Sequence, residues 1–111
     1  MPQPKEFHQA AKVGSLQNGD VTSVTVEGIE MMLARVGDEY FAIDNYCSHE
    51  EALLSTGHLD ASLCEVECPL HESRFDLRTG QPTQMPATVP VETFAVRVEG
   101  EDILIGPRAA G

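Results

Sequence analysis

At 111 residues the chain has the length of one domain with one core, and no second catalytic module is expected in it. An apolar fraction of 41% with 23% charged residues matches a soluble globular chain and excludes the disordered and membrane-spanning classes. Seven basic residues against 18 acidic ones leave a net charge of -11, so nucleic acid and anionic membranes are repelled and partners with basic surfaces are favoured.

The opening Met1–Glu6 lacks the charged-then-apolar layout of a secretory signal. The three cysteines are an odd number, which argues against a disulfide framework and for a reducing compartment, the cytoplasm. Residues 6–13 predict a first strand, which contains His8. "VTSVTVEG", Val21 to Gly28, alternates β-branched residues, and Ile29 to Asp44 reads as two strands joined by a turn at Gly37-Asp38. Met31 and Met32 point to opposite faces of the first of these, so one of them is expected in the core. Val91 to Ile105 repeats the pattern, strand, turn at Glu99-Gly100-Glu101, strand. Many short strands with Gly-bearing turns and almost no helical periodicity predict an all-β fold, an antiparallel sandwich or barrel.

Residues 45–90 have a different texture. They hold all three cysteines, histidines 49, 58 and 71, and prolines 69, 82, 86 and 90, and read as a loop-rich insertion into the sandwich. Within it His58 falls in a turn, Cys64 is expected to point from a strand into the interior as an inert thiol, and Arg78-Thr79-Gly80 forms a tight turn back to the sandwich.

The chemistry sits in two short stretches. "NYCSHE" pairs Cys47 with His49, and "ECPLHESRF" pairs Cys68 with His71, with 18 residues between His49 and Cys68. Thiolate and imidazole together suit zinc or iron-sulfur chemistry and suit neither calcium nor magnesium. Mononuclear zinc prefers Cys-x(2–4)-Cys loops, and a Cys-x-His bite fits it poorly. Two irons relax the geometry, because the cysteine and the histidine of one loop can reach different metals. A binding module clipped by structural zinc remains the rival at this point.

These residues resemble the Rieske [2Fe-2S] family, in which two histidines replace two cysteines on one iron. "CSH" looks like the family's first loop and "CPLH" like its second. Phe75 to Gly100, "FDLRTGQP" onward, is similar to the tail of the small Rieske ferredoxins that serve bacterial aromatic-ring-hydroxylating dioxygenases. The resemblance covers nearly the whole chain. It implies a Rieske-like antiparallel β-sandwich or barrel over about 1–44 and 81–111, with an inserted loop-rich cluster-binding subdomain over about 45–80. It further implies one Rieske [2Fe-2S] cluster, with Cys47 and Cys68 on the inner iron and His49 and His71 on the outer. Exposed ring edges of His49 and His71 would then be the electron port, and Pro69 and Pro86 would stiffen loops that shield the cluster. Two ferric ions, two sulfides and two thiolates sum to zero charge, so adding an electron costs less than in a four-cysteine cluster, and the potential falls between about -150 and +300 mV.

Departures from the family's high-potential members place the expected potential near the bottom of that range. Ala52 and Leu70 stand where those members carry an additional disulfide, and Phe75 stands at a hydrogen-bonding tyrosine's position. Ser73 does match their serine and would raise the potential by donating to cluster sulfur. Glu72 replaces a glycine common directly after the second histidine, and with Asp44, Glu50 and Glu51 it would give the cluster end an acidic rim.

No nucleophile elbow, phosphate-cradling loop or 2-His-1-carboxylate site accompanies the four ligands. The implied function is therefore that of an electron carrier and not of an enzyme. A monomer would take one electron from a flavin-dependent, NAD(P)H-drawing ferredoxin reductase and pass it to a terminal oxygenase. The alternative within the fold is the small subunit of a nitrite reductase.

Overall fold

The computed structural model describes residues 3–48, 52–70 and 72–108. Among them are ten strands: β1 His8–Lys12, β2 Val21–Val26, β3 Ile29–Val36, β4 Glu39–Asp44, β5 His58–Asp60, β6 Glu65–Glu67, β7 Arg74–Asp76, β8 Pro82–Gln84, β9 Thr93–Glu99 and β10 Asp102–Gly106. The fold is all-β. Six strands form an antiparallel sheet in the order β1-β10-β9-β4-β3-β2, and four short ones form a second sheet, β5-β6-β7-β8.

The expected hairpins are present. β3 and β4 pair from Met31 with Asp44 to Val36 with Glu39, around the turn at Gly37-Asp38. β9 and β10 pair from Ala95 with Gly106 to Glu99 with Asp102. β9 also turns the corner of the large sheet, since its first residues, Thr93 and Phe94, pair with Ile43 and Ala42 of β4. Those two pairs join the β2-β3-β4 half to the β1-β10-β9 half.

Both Met31 and Met32 are fully buried, where the sequence pattern predicted one. The four residues Met31 to Ala34 are all inaccessible to solvent, because β3 is covered on both faces. Met31 and Leu33 pack with Leu16, Val26, Phe94, Ile103 and Ile105 between the two halves of the large sheet. Met32 and Ala34 pack with Ile43, Val66, Phe75 and Leu77 beneath the small sheet. Cys47 and Cys68 belong to that second cluster. The small sheet is thus a third layer, and it reaches Gln84, past the expected boundary near residue 80.

Two expectations inside this region are corrected. Cys64 is buried, but it lies in the turn before β6 with a left-handed φ of 56°, not on a strand. Its partner Leu77 donates its backbone N–H to the Cys64 carbonyl, which holds the turn against the chain leaving β7. His58 lies on β5 and not in a turn, and it is exposed.

Two glycines set how closely the elements approach. Gly80 has a φ of 75°, and a Cβ there would lie 2.1 Å from the Val91 carbonyl oxygen. Gly57 has an ordinary φ of -85°, but a Cβ on it would lie 2.0 Å from the Glu67 carbonyl oxygen. Contact between the exit of the first cysteine loop and the end of β6 therefore requires a residue without a side chain. Gly57→Ala should lower stability by about 1–3 kcal/mol through overpacking, whereas Gly14→Ala, in open space, should change it by less than about 0.5 kcal/mol. Urea unfolding of the two variants checks this.

Candidate metal centre

The two cysteine loops close in the same way. The Cys47 N–H donates to the Ala52 carbonyl at 2.9 Å, and the Cys68 N–H donates to the Ser73 carbonyl at 2.8 Å. In each case the bond spans five residues and ties the cysteine to the returning limb of its loop. Both thiols are buried, Cys47 at 6% and Cys68 at 1% exposure, and neither is part of a disulfide. His49 and His71, with Glu50 and Glu51, lie outside the described residues.

Behind the second loop stands the β6-β7 hairpin, with Glu67 opposite Arg74 as its last pair. Arg74 reaches Glu67 at 3.1 Å, Glu65 at 3.7 Å and Asp60 of β5 at 3.3 Å. One guanidinium therefore ties three strands together at the base of the loop. The Asp60 carboxyl is held below its usual range, first by the Ser62 hydroxyl and then by the Leu63 N–H and Arg74. Phe75, directly behind this pair, is fully buried.

Ser73 is fully buried, and its hydroxyl oxygen accepts the Ala87 N–H at 2.9 Å. Across the other loop, the Ser48 hydroxyl donates to the Val89 carbonyl. The segment from Met85 to Pro90 is thus fastened to both cysteine loops. Ser48, Ala87 and Val89 were not singled out by the sequence pattern, whose only signal for this segment was its prolines. Leu70, Met85 and Val89, on the second loop and this segment, are among the most exposed large apolar side chains, at 65%, 73% and 59%. A cleft of about 570 Å³ runs along the flank of the second loop, lined by Thr56, His58, Glu67, Cys68, Leu70 and Glu72 among others.

His8, on β1, is exposed and bonded to Glu27 at 2.8 Å. Burial pushes the Cys64 thiol up, with Arg78 offsetting part of the effect, so it stays protonated and is a poor metal ligand. Of the expected acidic rim, Glu72 is exposed on the second loop and Asp44 ends β4. The Asp44 carboxyl is pushed up, chiefly by burial and further by Glu92 and Glu30, against the opposing effect of the Tyr46 N–H that it accepts.

Two buried thiols, each beginning a short closed loop and sharing one apolar cluster, fit a group that takes soft thiolate ligands in a dry setting. With the two histidines that the sequence places in the same loops, the donor set suits a mixed-ligand [2Fe-2S] cluster.

A Rieske [2Fe-2S] domain model matches residues 6–95. The naphthalene 1,2-dioxygenase system ferredoxin component of Pseudomonas aeruginosa is 42% identical over 101 residues, covering 91% of this chain and 95% of that protein. Among solved structures, the ferredoxin of carbazole 1,9a-dioxygenase from Nocardioides aromaticivorans IC177 is similar with a TM-score of 0.90 and 43% identity, over 94% of this chain and all of that one. A chain from a complex of reduced oxygenase and oxidized ferredoxin in carbazole 1,9a-dioxygenase matches with a TM-score of 0.86 and 30% identity, over 95% of this chain and 97% of that one.

The raised Asp44 carboxyl makes a test of the electrostatics beside the first loop. A carboxyl whose folded pKa exceeds its unfolded value of about 3.9 costs stability once it ionises, so the cost is absent at low pH and appears as pH rises through the folded pKa. Asp44→Asn keeps an acceptor for Tyr46 and should raise the thermal midpoint at pH 7, with the gain vanishing below about pH 3.

Proposed function

The chain belongs to the Rieske [2Fe-2S] domain family, and from that we infer that Cys47, His49, Cys68 and His71 are the four iron ligands of its cluster. The protein carries a Rieske [2Fe-2S] cluster and is an electron carrier, not itself an enzyme. The cluster supplies one-electron exchange, and no substrate is transformed. The observation that carries the ligand assignment is the pair of buried thiols, Cys47 and Cys68, at matching positions in two loops closed by matching hydrogen bonds.

In this reading the protein's own residues have three tasks. The thiols of Cys47 and Cys68 hold one iron from within the apolar cluster, and His49 and His71 hold the other. The Met85–Pro90 segment, fastened by Ser48 and Ser73, keeps water from the thiolate side. Leu70, Met85 and Val89 offer an apolar face for docking, with Glu72 adding negative charge beside it. Burial of apolar surface then gives affinity, while charge speeds encounter with a basic partner.

The system is an aromatic-ring dioxygenase, in which the chain delivers electrons as its ferredoxin component. The proposed donor is a flavin-dependent ferredoxin reductase drawing on NAD(P)H, and the proposed acceptor is a terminal oxygenase, as in the complex named above. A monomer in the cytoplasm fits these roles, and no helix among the described residues is long and apolar enough to cross a membrane. The ferredoxins described above at 42% and 43% identity both belong to dioxygenase systems, which favours this reading over the nitrite reductase small subunit. About 45–80 is proposed as the cluster-bearing part and about 1–44 with 81–111 as its base, from which β8 pairs with the small sheet.

The purified protein should be reddish-brown, and after dithionite it should give a rhombic EPR signal of mixed histidine and cysteine ligation. Cys64→Ala should leave both unchanged, while Cys68→Ser should lose the signal. A colourless protein holding one zinc would overturn the assignment.

The Ser73 hydroxyl accepts from Ala87 and keeps its own proton for donation, so it is proposed to stabilise the reduced cluster. The midpoint potential should lie below about 0 mV, and Ser73→Ala should lower it further. Protein-film voltammetry measures both, and a midpoint well above zero would refute the low-potential assignment.

A further inference from the structure

The two cysteine loops are closed alike but supported unequally. The second is the connection of a hairpin, with three ladder pairs between β6 and β7 behind it and Arg74 clamped at its base. The first has β4 on its entry side only. Its exit is a 3-10 turn, Leu54–Thr56, which offers no ladder, and among the described residues one isolated bridge, Tyr46 to Leu53, links the two limbs.

Asn45 supplies what the ladder would have. It is fully buried, two residues before Cys47, and every polar group it carries is used. Its backbone carbonyl accepts the Leu54 N–H at 2.6 Å, and its backbone N–H donates to the Glu30 carbonyl at 3.4 Å. Its side-chain oxygen accepts the Ser55 N–H at 2.9 Å, and its side-chain NH2 donates to the Glu30 carboxylate at 3.2 Å. The residue therefore fastens the exit limb of the loop to the entry limb and both to β3.

We propose that Asn45 is the positioning residue of the first cluster loop, holding Cys47 in place for the metal by tying the Leu54-Ser55 limb to Glu30. The proposal rests on the assignment of Cys47 as a ligand. The chemistry asks for asparagine in particular. The position needs an acceptor for Ser55 and a donor for Glu30 on one short side chain, and aspartate could accept but not donate. Aspartate would also set a further carboxylate beside Glu30, Asp44 and Glu92, which already interact. Alanine would leave the half-buried Ser55 N–H and Glu30 carboxylate without these partners, and polar groups held away from water without a partner are costly.

Groups that orient metal ligands typically change metal affinity roughly 10- to 100-fold when removed. Asn45→Ala should therefore lose cluster absorbance to a chelator about 10- to 100-fold faster than wild type, with shifted EPR g-values in the protein that retains it. Glu30→Gln, which keeps an acceptor for the Asn45 amide, should leave rate and spectrum unchanged. Glu30→Ala, which removes one of the two side-chain bonds, should fall between, and the double variant should be no worse than Asn45→Ala alone. Should Asn45→Ala fail to accumulate, the contrast between Glu30→Ala and Glu30→Gln carries the same test.

A control separates positioning from general destabilisation. Ile103 is fully buried in the other core cluster, away from both loops. An Ile103→Val or Ile103→Ala protein matched to the thermal midpoint of Asn45→Ala should keep the wild-type g-values and release the cluster more slowly. Equal loss with an equal spectrum in that control, or wild-type behaviour of Asn45→Ala, would overturn the proposal. Cys47→Ser run in parallel identifies a different failure: a wild-type spectrum there would overturn the ligand assignment, and the Asn45 proposal with it.

Discussion

Burial of β3 on both faces is the constraint from which the arrangement follows. Its alternating side chains divide between two cores, Met31 and Leu33 into the sandwich and Met32 and Ala34 toward the small sheet. Each face excludes water from apolar area worth about 25 cal/mol per Å². Neither core would be complete without the strand, because the small sheet has no apolar layer of its own apart from the one it shares with Met32, Ala34 and Ile43. The cysteine loops rest on that shared layer, so their position relative to the sandwich is set by packing and not by the loops themselves.

Around the metal centre the same problem, holding a short irregular loop still, is solved three times with different means. The second loop uses a β ladder and one arginine among three carboxylates. The first uses a buried asparagine. The segment from Met85 to Pro90 uses two serine hydroxyls, one as donor and one as acceptor. In every case a backbone group of an irregular segment has been given a partner, and among the described residues no buried side-chain polar atom lacks one. A redox carrier gains from this economy, because loops that stay put cost little reorganisation when an electron arrives.

The negative balance of the chain acts at longer range. At Asp44, where Glu92 and Glu30 approach, ionisation is opposed by burial and by those two carboxylates. Where Arg74 intervenes, three carboxylates become a fastening. Local arrangement, and not the total of -11, decides whether an acidic residue steadies the site or strains it.

Much of this was legible in the order of residues. Period-2 alternation with Gly-Asp and Gly-Glu turns located the hairpins from Val21 to Asp44 and from Val91 to Ile105, because backbone pleating and turn sterics are local properties. The Cys-x-His and Cys-x-x-His pairs announced a metal centre of soft and borderline ligands because ligand chemistry is a property of residue type and short spacing. Tertiary structure alone decided that both Met31 and Met32 are buried, since alternation shows that two faces differ and not that a third layer covers the second. It alone placed buried Cys64 in a turn with a left-handed backbone, and His58 on a strand. It alone joined Ser48 to Val89, Ser73 to Ala87 and Asn45 to Glu30, residues 41, 14 and 15 apart in the chain. Those bonds form between segments that meet only when the layers pack, and no local spacing encodes them.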